Sequence, residues 1–470
     1  MPDFTDLLKN ANAALSTLVW GLPMMLLLLG VGLYYSARTG FLQFRKFGYA
    51  MRNTIGRAFR REKVSDRGAI SPFQALTTAL AATVGTGNIA GVAGALSLGG
   101  PGAVFWMWVS ASLGMITKYA EVLLAVRFRQ RNSDGDWVGG PMYYITNGLG
   151  KNKKWLADIF SLFGALAAFG IGNMTQVNSA ARSAVALVSK FSDLPAGPNG
   201  EAGMAIRLAV GFVIAFFSSL VLLGGVRRIG RATEGLVPFM SLIYITGVLA
   251  VIFAEPGRII PAFRSILVGA FRPEAVIGGA AGIGITQALT RGVGRGVFSN
   301  EAGLGSAPIA HAATSETDPV KQGLFGIFEV FADTIVMCSL TALAILVSGT
   351  PIAYGGPAGA ELTISAFSSL FGGKAAALIV TFCITLFASA TVLSWSLYGC
   401  RCAEYLLGAR ARKPYKCLFV AFIIVGAGMD LGLVWDLADT LNGLMAIPNL
   451  IALLGLSGTV IKLTREHFGK

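Results

Sequence analysis

Charge is scarce in this sequence. Only 13% of its 470 residues are Asp, Glu, Lys or Arg, against about 25% in an average soluble domain. An ordinary soluble enzyme is excluded on that ground. Histidine is scarcer still: His311 and His467 are the two in the chain, and neither argues for a metal centre or a proton relay. The five cysteines, Cys338, Cys383, Cys400, Cys402 and Cys417, are odd in number and fit no metal-ligand spacing. Buried free thiols are the expectation. No Gly-x-x-x-x-Gly-Lys-Ser/Thr loop occurs, which argues against an ATP-driven pump. Asp3 and Asp6 stand where a cleavable signal would carry basic residues, so no such signal is expected.

What the chain has instead is apolar length. Hydrophobic residues make up 54% of it, in runs long enough to cross a bilayer at about 20 residues each. The 60 glycines suit helices that pack closely or break. Apolar windows predict an all-α polytopic membrane protein with eleven transmembrane helices. They fall near 15–36, 71–98, 102–128, 155–189, 205–226, 233–254, 276–311, 322–349, 374–408, 416–434 and 437–463. Those at 71–98 and 276–311 are long enough to need a break, and those at 155–189 and 374–408 need tilt or extension beyond the hydrocarbon.

The net charge of +14 does not point to nucleic acid, because the basic residues sit in short loops between apolar runs. Loop 37–70 holds nine: Arg38, Arg45, Lys46, Arg52, Arg57, Arg60, Arg61, Lys63 and Arg67. Further groups follow at Arg127, Arg129, Arg131, Lys151, Lys153 and Lys154, at Arg227, Arg228 and Arg231, and at Arg410, Arg412 and Lys413. The positive-inside rule places these loops in the cytoplasm. The loops near 190–204, 350–373 and 429–436 carry Asp193, Glu201, Glu361, Asp430 and Asp436 instead. The N-terminus is therefore expected outside and the C-terminus inside. Loop 255–275 is the exception, with Arg258, Arg264 and Arg272 on what must be the outer side.

Residues 77–87 recur at 286–296, an offset of 209 at which six of eleven positions agree in the pattern T-x-A-L-x-x-x-V-G-x-G. With the orientation above, the first copy runs inside to outside and the second outside to inside. The chain thus divides into 1–70 (an extra N-terminal helix and a basic loop), 71–254 and 276–463 (two five-helix halves in inverted repeat), the connection 255–275, and a tail, 464–470. Interrupted hydrophobic segments at equivalent places in two halves point to the binding site of a secondary transporter. Unwound backbone survives in lipid only where it lines a cavity or binds something. At the first break, 84–88, the outer half-helix starting near Asn88 offers N–H donors and a positive end to a carboxylate. Carbonyls near Thr83 and Val84 face a cation, and Asn88 either caps the second half or bonds a ligand. Packing of small residues alone is the plainer alternative.

The second break is expected within 292–301, which also carries charge: Arg291, Arg295 and Glu301 must pair, face water or lie near the interface. Glu329 and Asp333, four apart on the next span, are their natural partners, in a structural or gating network. Phe298 is placed to cover an apolar side chain and Ser299 to add a hydroxyl. Two other spans carry polar residues at helical spacing, Asn173, Gln176 and Asn178 in one, and Thr381, Thr385, Ser389, Thr391 and Ser394 followed by Trp395 in the other. Hydroxyls facing free carbonyls make a Na+ site, since hard cations prefer oxygen; back-bonding to their own helix is the alternative.

Four blocks carry a family resemblance: residues 99–114, with Phe105, Trp106, Met107 and Trp108 at their centre; residues 85–91; residues 299–308; and residues 394–399. Over about 15–465 the chain resembles the alanine or glycine:cation symporters, also called the sodium:alanine symporter family. The resemblance implies a LeuT-type five-plus-five inverted repeat that couples uptake of alanine, glycine or a similar small neutral amino acid to Na+. It implies that Thr86, Gly87 and Asn88 hold the substrate carboxylate. Gln176 and the backbone around Phe298 and Ser299 then help to hold the amino group, and Trp395 and Phe298 close over a small side chain. The Na+ ligands it implies are Ser389 and Thr391 with carbonyls near Thr83 and Val84. Residues 388–393 depart from the Phe-x-Thr/Ser-Thr pattern of that family. The location implied is the cell's inner membrane. Coupling to H+ through Glu301, Glu329 or Asp333, a passive channel, and an intramembrane enzyme are the alternatives.

Overall fold

Apolar runs fold as helices here because a helix satisfies its own backbone where no water is available. The computed structural model describes residues 4–58, 64, 66, 68–191, 200–277, 283–356, 358–429 and 432–469. Arg60, Arg61, Lys63, Arg67, Asp193 and Asp430, used above to orient the loops, lie outside the described residues. Among the described residues eight helices are long and apolar enough to cross a membrane. A ninth is formed by Pro72–Thr83 and Thr86–Gly99, which meet at a 55° bend.

Two of the eleven expected spans do not meet that test. Of the span expected at 276–311, residues 278–282 lie outside the described residues, and 285–311 hold Ile285–Asn300, which carries Arg291 and Arg295, followed by the short Ala307–His311. The span expected at 416–434 is represented by Arg412–Gly428, 17 residues with Arg412, Lys413 and Lys416 in its first turns. The expected N-terminal span is a jointed pair, Phe4–Val19 and Leu22–Thr39, with Pro23 starting the second. Lys151–Phe191 holds its 41 residues with one wide turn at Gly170–Met174. Gly373–Leu407 runs 35 residues without interruption.

Two ends of the bundle are recognisable from its pairings. Ile70, just before the first broken helix, donates to Ala313 O and accepts from Ser315 N–H, just after the second. At the other end, Gly99 closes against Gln287 and Arg291. The two broken helices therefore run antiparallel, start against finish. Gly102–Arg127 packs on both Ile285–Asn300 and Pro319–Val330, and this trio surrounds the second break. Large apolar side chains such as Phe212, Phe216, Phe217, Leu242 and Phe253 stay exposed on Glu201–Leu222 and Gly225–Ala254, as helices facing lipid require.

The end that carries Ile70 also carries the structure's two-stranded sheet, Gln130–Arg131 against Trp137–Val138. This hairpin is tied on every side. Arg131 pairs with Asp66 at 2.6 Å, Arg401 with Asp136 at 2.9 Å and Arg412 with Asp134 at 2.5 Å. The Trp137 indole lies between the Arg129 and Arg131 guanidinium groups, 4.3 and 4.4 Å from its ring centre. The Arg131 hydrogen bond holds the Asp66 carboxyl well below the usual carboxylate range, and burial lowers Arg129 to about 10.

Candidate functional site

The first broken helix starts where Ser71 and Gln74 form a reciprocal cap, each side chain accepting from the other's N–H at 3.1 Å. It stops because Val84 and Gly85 leave helical geometry; a single turn at Thr86–Asn88 precedes Ala90–Gly99. Asn88 holds this turn in place. Its Oδ1 accepts the Gly85 N–H at 2.8 Å, and its Nδ2 donates to Asp333 Oδ1 at 2.7 Å and to Ser299 Oγ at 3.1 Å. Asn88 is fully buried. It braces the first break against the second broken helix and the Asp333 segment, and both ends of its amide are engaged.

The second break lies later than its sequence repeat. Residues 292–296, the Gly-x-Gly-x-Gly stretch, are regular helix within Ile285–Asn300. Regular i to i−4 bonding tolerates those glycines, and what ends the helix is Glu301 in the left-handed region, φ 55°. Gly303 and Gly305 follow at φ 91° and 82°, values that only glycine adopts readily. The freed N–H groups have a partner. Glu121 Oε1 accepts from Gly303 N–H and Gly305 N–H, both at 3.1 Å, and from Asn449 Nδ2 at 2.5 Å. Glu301 accepts from the Trp395 indole at 3.1 Å and from the Ser306 hydroxyl.

The two breaks enclose a cavity of about 20 Å³, room for one water-sized guest and no more. Seven of the eleven predicted site residues line it: Thr83, Gly87, Gln176, Phe298, Ser299, Thr391 and Trp395. Ala82, Gly85, Ile171, Glu301 and Asn442 complete the wall. Gln176 reaches across it: Oε1 accepts the Thr86 hydroxyl at 2.8 Å while Nε2 donates to Ile171 O at 3.0 Å. Thr391 Oγ1 bonds Phe387 O yet lies 2.8 Å from where a Cβ on Gly85 would sit.

Four predicted residues are placed otherwise. Thr86 lines a neighbouring cavity of about 430 Å³ and touches the central one through Gln176. Asn88 points away to Asp333. Val84 is buried with its N–H on Leu80 O. Ser389, two positions from Thr391 and so on another face of the helix, bonds Thr385 O at 2.7 Å. Asn173 and Asn178 donate to Phe419 O, Gly426 O and Met429 O, bracing Arg412–Gly428 rather than facing the cavity. Phe298 lines the central cavity, the 430 Å³ one and a third of about 410 Å³, with the Arg295 guanidinium 5.5 Å from its ring centre.

The expected pairing of Arg291 and Arg295 with Glu329 and Asp333 is absent among the described residues. Glu329 instead meets Lys118 at 3.3 Å and His311 Nε2 at 3.1 Å. Gln322 Nε2 lies 2.9 Å from His311 Nδ1, which makes Nε2 the protonated nitrogen and the donor to Glu329. Asp333 takes the Asn88, Ser299 and Thr334 donors. The two arginines sit on the far side of Ile285–Asn300, where the chain is open to the 410 Å³ cavity. Sequence reasoning passed over Lys118 and Glu121. Their signal was available: two charges three apart in the middle of the apolar Gly102–Arg127. Glu301 was noticed for its charge, but only the fold shows it on the cavity wall. Cys338, Cys383, Cys400 and Cys402 are buried and unbridged, and Cys417 is unbridged and exposed.

A family model described as the sodium:alanine symporter family matches residues 5–470. The chain is 46% identical to the sodium/alanine symporter AgcS of Methanococcus maripaludis, covering 98% of this chain and 97% of that one. It is 44% identical to an uncharacterised transporter of Haemophilus influenzae, covering 98% and 96%. The structure is similar to the crystal structure of MhsT in complex with L-phenylalanine, with a TM-score of 0.56 and 15% identity over 85% of this chain and 90% of that one. That likeness concerns the fold, the LeuT type.

Proposed function

The chain belongs to the sodium:alanine symporter family, and from that premise we propose that it carries alanine, glycine or a similar small neutral amino acid together with Na+ across the cell's inner membrane by alternating access. It is a multi-pass membrane transporter and not an enzyme. The observation that carries the substrate reading is the polarity of the closed space between the breaks. One wall is the helical turn at Gly87, with Thr86 behind it on Gln176; the N–H groups that start this turn have no partner within it and suit a carboxylate. Another wall is Glu301, a counter-charge for an ammonium group, with Gln176 beside it. Trp395 and Phe298 leave little room for a side chain.

Thr83 and Val84 carbonyls with the Thr391 hydroxyl form the Na+ site in this reading; Ser389 and Asn88 serve the helices that hold it. The bundle crosses the membrane eleven times in this reading, with Ile285–Asn300 plus Ala307–His311 and Arg412–Gly428 among the crossings. Phe4–Thr39 is then the extra N-terminal crossing, with the N-terminus outside and the C-terminus in the cytoplasm. The end bearing the Gln130–Val138 hairpin faces the cytoplasm and is shut here. Opening it releases the cargo.

Radiolabelled alanine uptake into proteoliposomes tests this. Accumulation with an inward Na+ gradient and none with K+ in its place is the expected result; equal uptake in both removes Na+ as the driver. Coupling to H+ is the second reading. It is favoured by the buried carboxylates Glu121, Glu301 and Glu329, of which Glu329 pairs with the buried Lys118; uptake driven by a pH gradient without Na+ would support it.

A further inference from the structure

A second charged cavity lies beside the central one, on the other side of Phe298. It has a volume of about 410 Å³, in the range of small-molecule sites, about 300–1,000 Å³. Its floor is the helix Ile285–Asn300, its roof the N-terminal pair at Ser16, Thr17, Trp20 and Met25, and its side wall Asp439. The roof is locked down. Trp20 Nε1 donates to Asp439 O at 3.0 Å, and Val19 packs so closely on Gly443 that a Cβ there would meet Val19 Cγ1 at 2.1 Å.

The charges on this cavity are arranged by sign. Arg291 and Arg295, four apart, project from one face of their helix, and neither has an ion-pair partner among the described residues. Opposite them is Asp439, whose Oδ1 is buried and has no hydrogen-bond partner in the described structure. A buried carboxylate oxygen without a donor is costly, and two cations opposite a carboxylate match a molecule bearing both signs. A lipid tail would leave these charges unmet, and a phosphate would face Asp439.

We propose that this cavity is a second, outer binding site for a zwitterionic α-amino acid, with Arg291 and Arg295 on its carboxylate and Asp439 on its ammonium group. The proposal rests on the amino-acid transport reading and adds a site to it. Phe298 is the partition, since its ring is a wall of both the outer and the central cavity. The outer site presents substrate at that partition, and the extra N-terminal helix exists to roof it.

Equilibrium binding of radiolabelled L-alanine to the purified full-length protein in Na+ decides the matter. Two equivalents per chain are expected at saturation, falling to one in Asp439→Asn and in Arg291→Gln. Gln176→Ala should keep one, and Gln176→Ala combined with Asp439→Asn should keep none. One equivalent in the unaltered protein overturns the outer site, as do two equivalents persisting in both Asp439→Asn and Arg291→Gln. Copurifying phospholipid that is lost in Arg291→Gln, with a single alanine bound, overturns it in favour of a lipid site. Na+-driven uptake by the same preparation reports separately on the transport reading: transport with one equivalent bound leaves that reading standing.

Discussion

At Asn88 one amide ties three segments: its own turn through Gly85, the second broken helix through Ser299, and the next helix through Asp333. Asn88→Ala would leave the Gly85 N–H and an Asp333 oxygen short of partners, each costing about 1–3 kcal/mol. The expected outcome is a lowered thermal midpoint in detergent as well as lost uptake; an unchanged midpoint would contradict the bracing role. Glu301 is the opposite case. Glu301→Gln preserves the shape and an acceptor for Trp395 Nε1 while removing the charge proposed to face the substrate ammonium. A hydrogen bond to a charged group is worth about 1.5–3 kcal/mol, so alanine affinity should fall about 10- to 100-fold with the melting midpoint near that of the parent. Affinity within twofold of the parent would remove Glu301 from the site.

Each broken element is shaped by a side chain from elsewhere. Residues 301–306 can stay unwound inside the bundle because Glu121 accepts two of their N–H groups. Glu121→Ala should strip that support, at about 1–3 kcal/mol for each orphaned group, and raise amide exchange at Gly303 and Gly305 before the flanking helices loosen. Uniform exchange across 285–311 would show that the break does not depend on Glu121. The first element was legible from its own sequence. Ser71 and Gln74 mark its start, and Gly85 to Asn88 mark its interruption. The second was legible only as an element that breaks, because Gly292, Gly294 and Gly296 repeat the motif but remain helical; the partner that pulls the chain into a turn, Glu121, is about 180 residues earlier.

For the whole molecule, the closed state depends on the hairpin end. Asp66→Asn should weaken its tie to Arg131 and speed amide exchange at Ile70 and Ser315, whose bonds join the ends of the two broken helices. Because Arg131 holds the Asp66 carboxyl below its ordinary value, about 3.9 for a free Asp, the contribution of this pair is complete above that range. It is lost only as pH falls through the depressed value. Exchange at Ile70 should thus be insensitive to Asp66 titration between pH 5 and 8, about one unit and more above that reference. A loss of protection centred near pH 6 would assign closure to another group.

Composition and hydropathy by themselves determined that the chain crosses a membrane many times, because about 20 apolar residues in a row leave a helix no other stable place. The repeat at offset 209 determined that two of these segments would be special, and the helical spacing of Gln176 and Trp395 put the right spans beside them. Only the tertiary structure decided which polar residues face the cavity and which serve as braces. Asn88, Asn173 and Asn178 look as suitable for a ligand as Gln176 does, yet each finds a carbonyl or carboxylate on a neighbouring helix. Partners distant in the chain settle that choice, since a buried polar group goes wherever a bond can be made, and local sequence carries no record of where that is.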